Sequence, residues 1–181
     1  GKLSKIFKAN FLSYFNELLP VITPLLDPGR RSHDRQIGLC IFDDVIEHCG
    51  PDSVQFMPQF WNTMLQSLED PDPSVRQAAS YGVGVCAVVG GQKVSQPISE
   101  AIPKLTQLVN HPAARDESNV FATENGISSV GKICQAIPQF VNTAELLPMW
   151  LSWLPVEHDK IESQVIYGML CDFIESNNQQ L

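Results

Sequence analysis

The sequence has 181 residues, of which 44% are hydrophobic and 18% are charged, as is usual for a folded soluble protein. Its 20 acidic and 12 basic residues give a net charge of −8, which disfavours direct binding to nucleic-acid phosphates and favours basic partners. No apolar run reaches the roughly 18 residues of a membrane span, and no signal peptide is present. We therefore expect an intracellular protein without membrane contact.

Four prolines mark an internal repeat. Pro20, Pro58, Pro103 and Pro148 each follow an apolar pair and open an apolar run, as in ELLPVITPLL and ELLPMWLSWL. They lie 38, 45 and 45 residues apart, close to the roughly 40–47 residues of HEAT and armadillo repeats, which have two or three helices per unit. The spacing predicts an all-α protein, a right-handed α-solenoid of about four HEAT repeats, each an antiparallel pair of helices A and B.

The predicted repeats follow one another in chain order without a long linker, at about 4–50, 51–91, 94–137 and 143–176. Outer A helices are expected at 4–26, 52–69, 94–110 and 143–154. Each should be bent by its proline, because a proline inside a helix removes a hydrogen bond and clashes with the preceding turn. Inner B helices are expected at 34–49, 74–89, 117–136 and 160–176.

The domain organisation follows from the repeats. We interpret residues 1–181 as a single domain and, because the ends lack the polar caps of solenoid proteins, as a fragment of a longer chain. Asp72 and Pro73 suit the N-cap and the first position of the second B helix. Gly82, Gly126 and Gly168 recur in the later B helices, where we expect small residues to allow close packing of neighbouring helices.

Two sequence patterns suggest a nucleotide-binding or catalytic site, and each also has a purely structural explanation. The stretch GVGVCAVVGG at 82–91 resembles a nucleotide-binding loop, but such a loop follows a strand and opens a helix, whereas this stretch continues a helical pattern. Cys40, Cys86, Cys134 and Cys171 lie among apolar residues of B helices, where we expect buried structural thiols rather than nucleophiles. With no CxxC pair and no histidines at i,i+4, the sequence predicts no catalytic residue, cofactor or metal site.

The polar edges of the B helices form the main candidate surface. These side chains are Asp43, Asp44, Glu47, Glu124, Asn125, Asp172 and Glu175. Stacked repeats would align them as one concave acidic strip, which would bind lysine and arginine of an extended basic segment through charge-assisted hydrogen bonds. A merely solvated face is the alternative.

Aromatic residues of the A helices form a second candidate surface. We expect most of them to lie in the core. One ring per helix, such as Trp61 and Trp150, would line a groove between adjacent A helices on the convex side. A short aromatic peptide would dock in such a groove.

Four longer strings carry a family resemblance. They are DRQIGLCIFDDVIEHCGP at 34–51, PSVRQAASYGVGVCAVVGG at 73–91, ENGISSVGKI at 124–133 and LPMWLSWLPVEHDK at 147–160. Together they resemble the C-terminal HEAT repeats of importin-β-type karyopherins, specifically the importin five subfamily, also called karyopherin beta three. The resemblance covers nearly the whole chain.

The resemblance implies part of a nuclear transport receptor that shuttles between cytoplasm and nucleus through the nuclear pore. Such receptors carry basic cargo proteins with localisation signals, including ribosomal proteins and histones, bind phenylalanine-glycine nucleoporins, and release cargo on binding Ran-GTP. The family's main Ran-binding surface and much of its cargo recognition lie in N-terminal and middle repeats that this chain lacks. Two alternatives stay open: a HEAT-repeat scaffold for another complex and, from a different class, a thiol or nucleotide-dependent enzyme.

Overall fold

A computed structural model describes residues 1–176, and within that range it contains α-helices and 3₁₀ segments but no β-strand. The α-helices are α1 (Lys2–Phe7), α2 (Leu12–Ile22), α3 (Ser32–Cys49), α4 (Trp61–Ser67), α5 (Pro73–Gly90), α6 (Ser95–Val109), α7 (Val120–Ala136), α8 (Thr143–Ser152) and α9 (Lys160–Glu175). The 3₁₀ segments are Lys8–Phe11, Thr23–Leu26, Pro51–Gln59, Gly91–Val94 and Pro138–Phe140. Residues 177–181, the end of the predicted domain, lie outside the described residues.

The helices form four consecutive A/B units. Helices α3, α5, α7 and α9 are the B helices, and each packs against the next, α3 on α5, α5 on α7 and α7 on α9. Helices α2, α4, α6 and α8 belong to the A layer and pack against the B helices. The predicted all-α solenoid of about four HEAT repeats is thereby confirmed, and the four B helices begin and end within about three residues of the predicted bounds.

The prolines lie inside the A segments, as predicted, but two of these segments are not continuous α-helices. Pro20, Pro103 and Pro148 lie within α2, α6 and α8. The predicted helix 4–26 is divided into α1, a 3₁₀ segment, α2 and a second 3₁₀ segment. The predicted helix 52–69 is instead a 3₁₀ segment, Pro51–Gln59, followed by α4. Two prolines, Pro51 and Pro58, fall in this segment, and each removes a backbone donor and disfavours the α conformation in the residue before it.

Side-chain caps fix the starts of two B helices. Asp72 Oδ1 accepts a hydrogen bond from the backbone N–H of Ser74 at 2.9 Å, with Pro73 at the first helical position, as the sequence predicts. Asp159 Oδ1 accepts from the N–H groups of Ile161 and Glu162 at the start of α9, both at 3.1 Å. Each cap satisfies backbone donors that the helix cannot.

One hydrophobic core runs through all four units. In the first two, the ring of Phe15 meets those of Phe42 and Phe56 edge-on at 5.5 and 5.0 Å. In the last, the ring of Trp150 lies 5.7 Å from that of Phe173. No helix in the described range is long and apolar enough to cross a membrane.

Two of the three glycines that were predicted to allow close packing lie where a neighbouring element approaches the B helix closely. A Cβ on Gly82 would lie 2.2 Å from Asp43 Oδ1, and one on Gly126 would lie 3.1 Å from Val109 Cγ2. Gly168 has open space around it, so the prediction of close packing is wrong there. Helix α9 is the last B helix described, and no further helix in that range covers this position.

Candidate functional site

We call the surface formed by the B helices α3, α5, α7 and α9, on the side away from the A helices, the B-helix face. Side-chain contacts on this face connect each B helix to the next. Tyr81 of α5 donates its hydroxyl to Glu47 Oε2 of α3 at 2.9 Å. Lys132 of α7 places its ammonium 4.9 Å from the centre of the Tyr81 ring. The same ammonium lies 3.0 Å from Glu162 Oε2 of α9, and these two side chains are 12% and 4% exposed. Four consecutive B helices are thus joined by polar contacts.

A pocket of about 330 Å³ opens between these helices. Its lining residues come from all four repeats and are Gln36, Cys40, Asp43, Gln77, Ala78, Tyr81, Asn125, Asp159, Ile161 and Glu162. Three carboxylates line it, and no lysine or arginine does. The pocket is therefore suited to a cationic group.

Asp43 of α3 is a buried residue in the lining of this pocket rather than part of an open acidic strip, so the expected exposure is wrong for this residue. It is only 4% exposed, and its Oδ1 atom has no hydrogen-bond partner. Burial raises the pKa of Asp43 well above its usual value, and the nearby carboxylates of Asp44 and Glu47 raise it further. A proton or a cation is needed to offset the cost of burying this group.

Glu124 and Asn125 are also buried, which corrects their prediction as strip residues. Glu124 of α7 is 0% exposed and accepts hydrogen bonds from the backbone N–H groups of Glu157, His158 and Asp159, at 2.6–3.1 Å. Asn125 donates to Asp159 Oδ2 at 3.0 Å. Both side chains fasten the turn before α9 to α7. Glu124 is not available to a partner, and Asn125 contributes only to the lining of the pocket.

The other four predicted strip residues remain accessible. Asp44 is half-buried; its Oδ2 atom lies 2.7 Å from the ammonium of Gly1, and its Oδ1 atom lies 3.9 Å from His48 Nε2. Glu47, Asp172 and Glu175 are exposed, and Asp172 Oδ2 accepts a hydrogen bond from Gln135 of α7 at 2.9 Å. The accessible acidic surface therefore consists of these four side chains, together with the pocket, which is lined by other residues of the B helices.

Trp61 and Trp150 lie in the core, so the prediction that they line an outer groove is wrong. Trp61 is 7% exposed and Trp150 is 0% exposed. The indole N–H of Trp150 donates to the carbonyl of Ile127 at 2.9 Å, which satisfies its polar end inside the protein. Both rings fill the space between the A and B layers.

An outer groove does exist between α6 and α8, with other residues on its walls. It has a volume of about 610 Å³. Its apolar lining consists of Ile102, Pro103, Phe140, Val141, Leu146 and Met149. Phe140 is 38% exposed. A proline of the repeat signature, Pro103, thus borders the groove.

Sequence reasoning missed the arginines that join successive repeats. Arg35 of α3 forms a bidentate pair with Asp70 at 2.8–3.0 Å, and Arg76 of α5 donates to Asn119 in the next repeat. Arg115 donates to the carbonyl of Trp153 in the last repeat. A signal was present for the first two, because each arginine precedes a glutamine near the start of a B helix, at 35–36 and 76–77.

The thiols differ in exposure. Cys49, Cys86 and Cys134 are buried, whereas Cys40 and Cys171 are exposed, which corrects the prediction for those two. Desolvation raises the pKa of Cys134 to about 12 and that of Cys40 to about 11, the latter with help from Asp43 and Asp44. Thiols protonated at neutral pH are poor nucleophiles. Among the described residues no group of histidine, cysteine and carboxylate side chains is placed to hold a metal ion.

The glycine-rich stretch at 82–91 lies almost wholly within α5. It follows no strand in the part of the chain that the structure describes, and a Cβ on Gly84 would lie 2.6 Å from Ser129 Oγ of α7. Gly82 and Gly84 therefore serve helix packing, as the sequence predicts, whereas Gly91 has open space around it.

No model of a known protein family matches the chain. Among curated proteins it is similar to a probable importin-5 homolog of Dictyostelium discoideum, with 28% identity over 100% of this chain and 17% of the relative. It is also similar to importin subunit beta-3 of Saccharomyces cerevisiae, with 29% identity over 77% of this chain and 13% of the relative. The chain thus spans less than a fifth of the length of either relative.

The chain is also similar to solved structures of the karyopherin Kap121p. A mutant of Kap121p matches with a TM-score of 0.88 and 27% identity, over 98% of this chain and 16% of that one. Kap121p bound to RanGTP matches with a TM-score of 0.80 and 25% identity, over 92% of this chain and 16% of that one. Kap121p bound to Nup53p matches with a TM-score of 0.75 and 26% identity, over 91% of this chain and 15% of that one.

Proposed function

Because this chain belongs to the importin-β family of karyopherins, we propose that it is part of a nuclear transport receptor and binds basic segments of cargo proteins with its B-helix face. The observation that carries the proposal is the pocket between the four B helices, lined by three carboxylates and by no basic side chain. Ribosomal proteins and histones are cargo of this basic kind. The receptor would shuttle between cytoplasm and nucleus.

The charge of the chain supports this assignment. A net charge of −8 attracts a basic segment over distances of roughly a Debye length, about 8 Å at physiological ionic strength. The exposed carboxylates Glu47, Asp172 and Glu175 lie on B helices at opposite ends of the stack. An extended basic segment lying across the helices would meet them in turn.

For the complete receptor we infer two further partners from the similar solved structures. Kap121p has been solved bound to RanGTP and to Nup53p, and we infer corresponding Ran and nucleoporin partners here. The apolar groove between α6 and α8 is suited to the phenylalanine rings of nucleoporin repeats. Ran-GTP would act mainly through repeats that this chain lacks.

The binding test uses a fluorescein-labelled, lysine-rich localisation peptide, with affinity followed by fluorescence anisotropy at several salt concentrations. We expect affinity to fall steeply as salt rises, because the attraction is between solvated charges. Reversing two accessible charges, Asp44→Lys with Glu47→Lys, should weaken binding roughly tenfold. The matched control is Glu100→Lys, an exposed carboxylate on the A helix α6, which should change the affinity far less.

Absence of binding, or binding that does not respond to salt, would contradict the proposal. The chain would then be better described as a scaffold within a larger complex. A nucleotide-dependent shift in melting temperature would instead revive the enzyme alternative.

A further inference from the structure

The pocket on the B-helix face contains a carboxylate without a partner. Asp43 is 4% exposed and its Oδ1 atom accepts no hydrogen bond. The other two carboxylates of the pocket already have partners: Glu162 is paired with Lys132, and Asp159 caps α9 and accepts from Asn125. A buried carboxylate with no counter-charge is costly, and a cation bound to its other oxygen, Oδ2, would offset part of that cost.

We propose that this pocket receives a single lysine side chain of the bound basic segment, with its ammonium group on the carboxylate of Asp43. This inference rests on the proposed function and specifies one subsite of it. The pocket volume of about 330 Å³ is sufficient for one side chain and its hydration. Ala78, Tyr81 and Ile161 supply apolar walls for the four-carbon stem.

The geometry around Asp43 favours lysine over arginine. A Cβ added at Gly82 would lie only 2.2 Å from Oδ1 of Asp43, so this buried oxygen faces the packed contact with α5 and Oδ2 is the atom left for a ligand. Arginine binds carboxylates best as a planar fork that uses both oxygens. The ammonium of lysine is a compact charge that needs one acceptor.

The protein already holds one lysine in this way. The ammonium of Lys132 lies 4.9 Å from the centre of the Tyr81 ring and 3.0 Å from Glu162 Oε2. Tyr81 also lines the pocket, so a second ammonium on Asp43 would meet the same kind of surroundings, an aromatic ring beside a carboxylate.

The experiment compares two labelled peptides that are identical except that one carries lysines and the other arginines. Their affinities for the 181-residue chain are measured by fluorescence anisotropy, for the unchanged chain and for two variants. Asp43→Asn removes the charge with little change in shape. Asp172→Asn is the control for loss of one exposed charge from the same acidic surface, because this carboxylate of α9 lies outside the pocket.

We expect Asp43→Asn to weaken binding of the lysine peptide about tenfold or more, the worth of one charge-assisted hydrogen bond. Asp172→Asn should weaken it less than about threefold. The preference for lysine over arginine should disappear in Asp43→Asn and persist in Asp172→Asn, which a purely structural role of Asp43 would not produce.

Alkylation of the two exposed thiols gives a local readout. Cys40 lines the pocket and Cys171 does not. Because the raised pKa of Cys40 makes its alkylation slow at neutral pH, the reaction with N-ethylmaleimide is followed at about pH 9. Saturating lysine peptide should cover Cys40 and slow its reaction several-fold, and it should leave that of Cys171 unchanged.

The outcomes separate the inference from the proposed function. If the lysine peptide binds but Asp43→Asn behaves like Asp172→Asn, or Cys40 is not protected, the lysine subsite is wrong and the acidic face still binds. If the unchanged chain does not bind the peptide at all, the proposed function is wrong, and the subsite with it.

Discussion

The guanidinium of Arg35 and the carboxylate of Asp70 form a bidentate ion pair across the boundary between the first two repeats. Arg35 Nε lies 3.0 Å from Asp70 Oδ2 and Arg35 Nη2 lies 2.8 Å from Asp70 Oδ1, with the two side chains 12% and 11% exposed. Asp70 also accepts the backbone N–H of Asp72, the N-cap of α5, at 2.9 Å. The pair therefore fixes the start of the second B helix to the first.

Arg35→Ala should destabilise the chain by about 3 kcal/mol, because it leaves Asp70 as a largely buried charge without its cation. Urea unfolding gives the loss, and hydrogen exchange at the start of α5 should show that it is local. The matched control is Arg31→Ala, whose pair with Asp34 is at the surface. That variant should leave the unfolding midpoint unchanged. Equal midpoints for the two variants would contradict the role given to Arg35.

Glu124→Gln should weaken the hold of α7 on the turn before α9. Burial raises the pKa of Glu124, but hydrogen bonds from the backbone of Asp159, Glu157 and His158, and from the His158 ring, lower it by more, so the pKa is below its usual value. The folded state therefore binds this proton more weakly than the unfolded state does. The stabilisation is complete above the unfolded pKa of about 4.3 and is lost as pH falls through the folded pKa.

At pH 7 the substitution should cost about 1–3 kcal/mol, because one amide oxygen cannot serve donors that now use both carboxylate oxygens. The difference from the unchanged chain should shrink as the pH is lowered below about 4. Thermal unfolding across a pH series measures both effects. Glu157→Gln, an exposed carboxylate on the same turn, should show neither. A pH-independent loss in Glu124→Gln would contradict the explanation.

Local signals in the sequence were sufficient for the architecture. The recurrence of Pro20, Pro58, Pro103 and Pro148 predicted the number of repeats, and the Asp72 cap predicted one helix start. These features depend on residues near one another in the chain, or on a period that repeats four times. The B helices were accordingly predicted better than the A segments, where clustered prolines replace α-helix by 3₁₀ structure.

The burial of individual carboxylates could not be predicted in this way. Asp43 and Asp44 are adjacent on α3, yet only Asp43 faces Gly82 of the next B helix. Glu124 is buried because it meets backbone donors 33–35 residues further along the chain. Helical spacing gives the face on which a residue lies, and the packing of neighbouring repeats determines whether that face is open.

Gly82→Ala and Gly168→Ala should have opposite effects on stability. A Cβ at position 82 would lie 2.4 Å from Met64 Cε and closer still to Asp43, so we expect a loss of about 1–3 kcal/mol from overpacking. Position 168 has open space, and alanine there should stabilise α9 by about 0.5–1 kcal/mol through its higher helix propensity. Urea unfolding of both variants tests the pair. A loss of the same size at both positions would show that close approach is not the reason.

Asp43→Asn should stabilise the chain at neutral pH and not at low pH. Burial raises the pKa of Asp43 well above its usual value, and Asp44 and Glu47 raise it further. The titratable groups of Cys40, Tyr81 and Cys86 also lie near it, and Asp159 and Glu162 line the same pocket. The folded state binds this proton more tightly than the unfolded state does, so stability is lost as pH rises from about 4 through the folded pKa.

Asparagine has the same shape and no charge, so the variant should lack this loss. Thermal unfolding should give a higher midpoint for Asp43→Asn at pH 7–8 and converge with the unchanged chain near pH 4. Asp172→Asn, which removes an exposed carboxylate from α9, should follow the unchanged chain at every pH. A lower midpoint for Asp43→Asn at neutral pH would mean that the carboxylate is ionised and has a cationic partner within the folded chain.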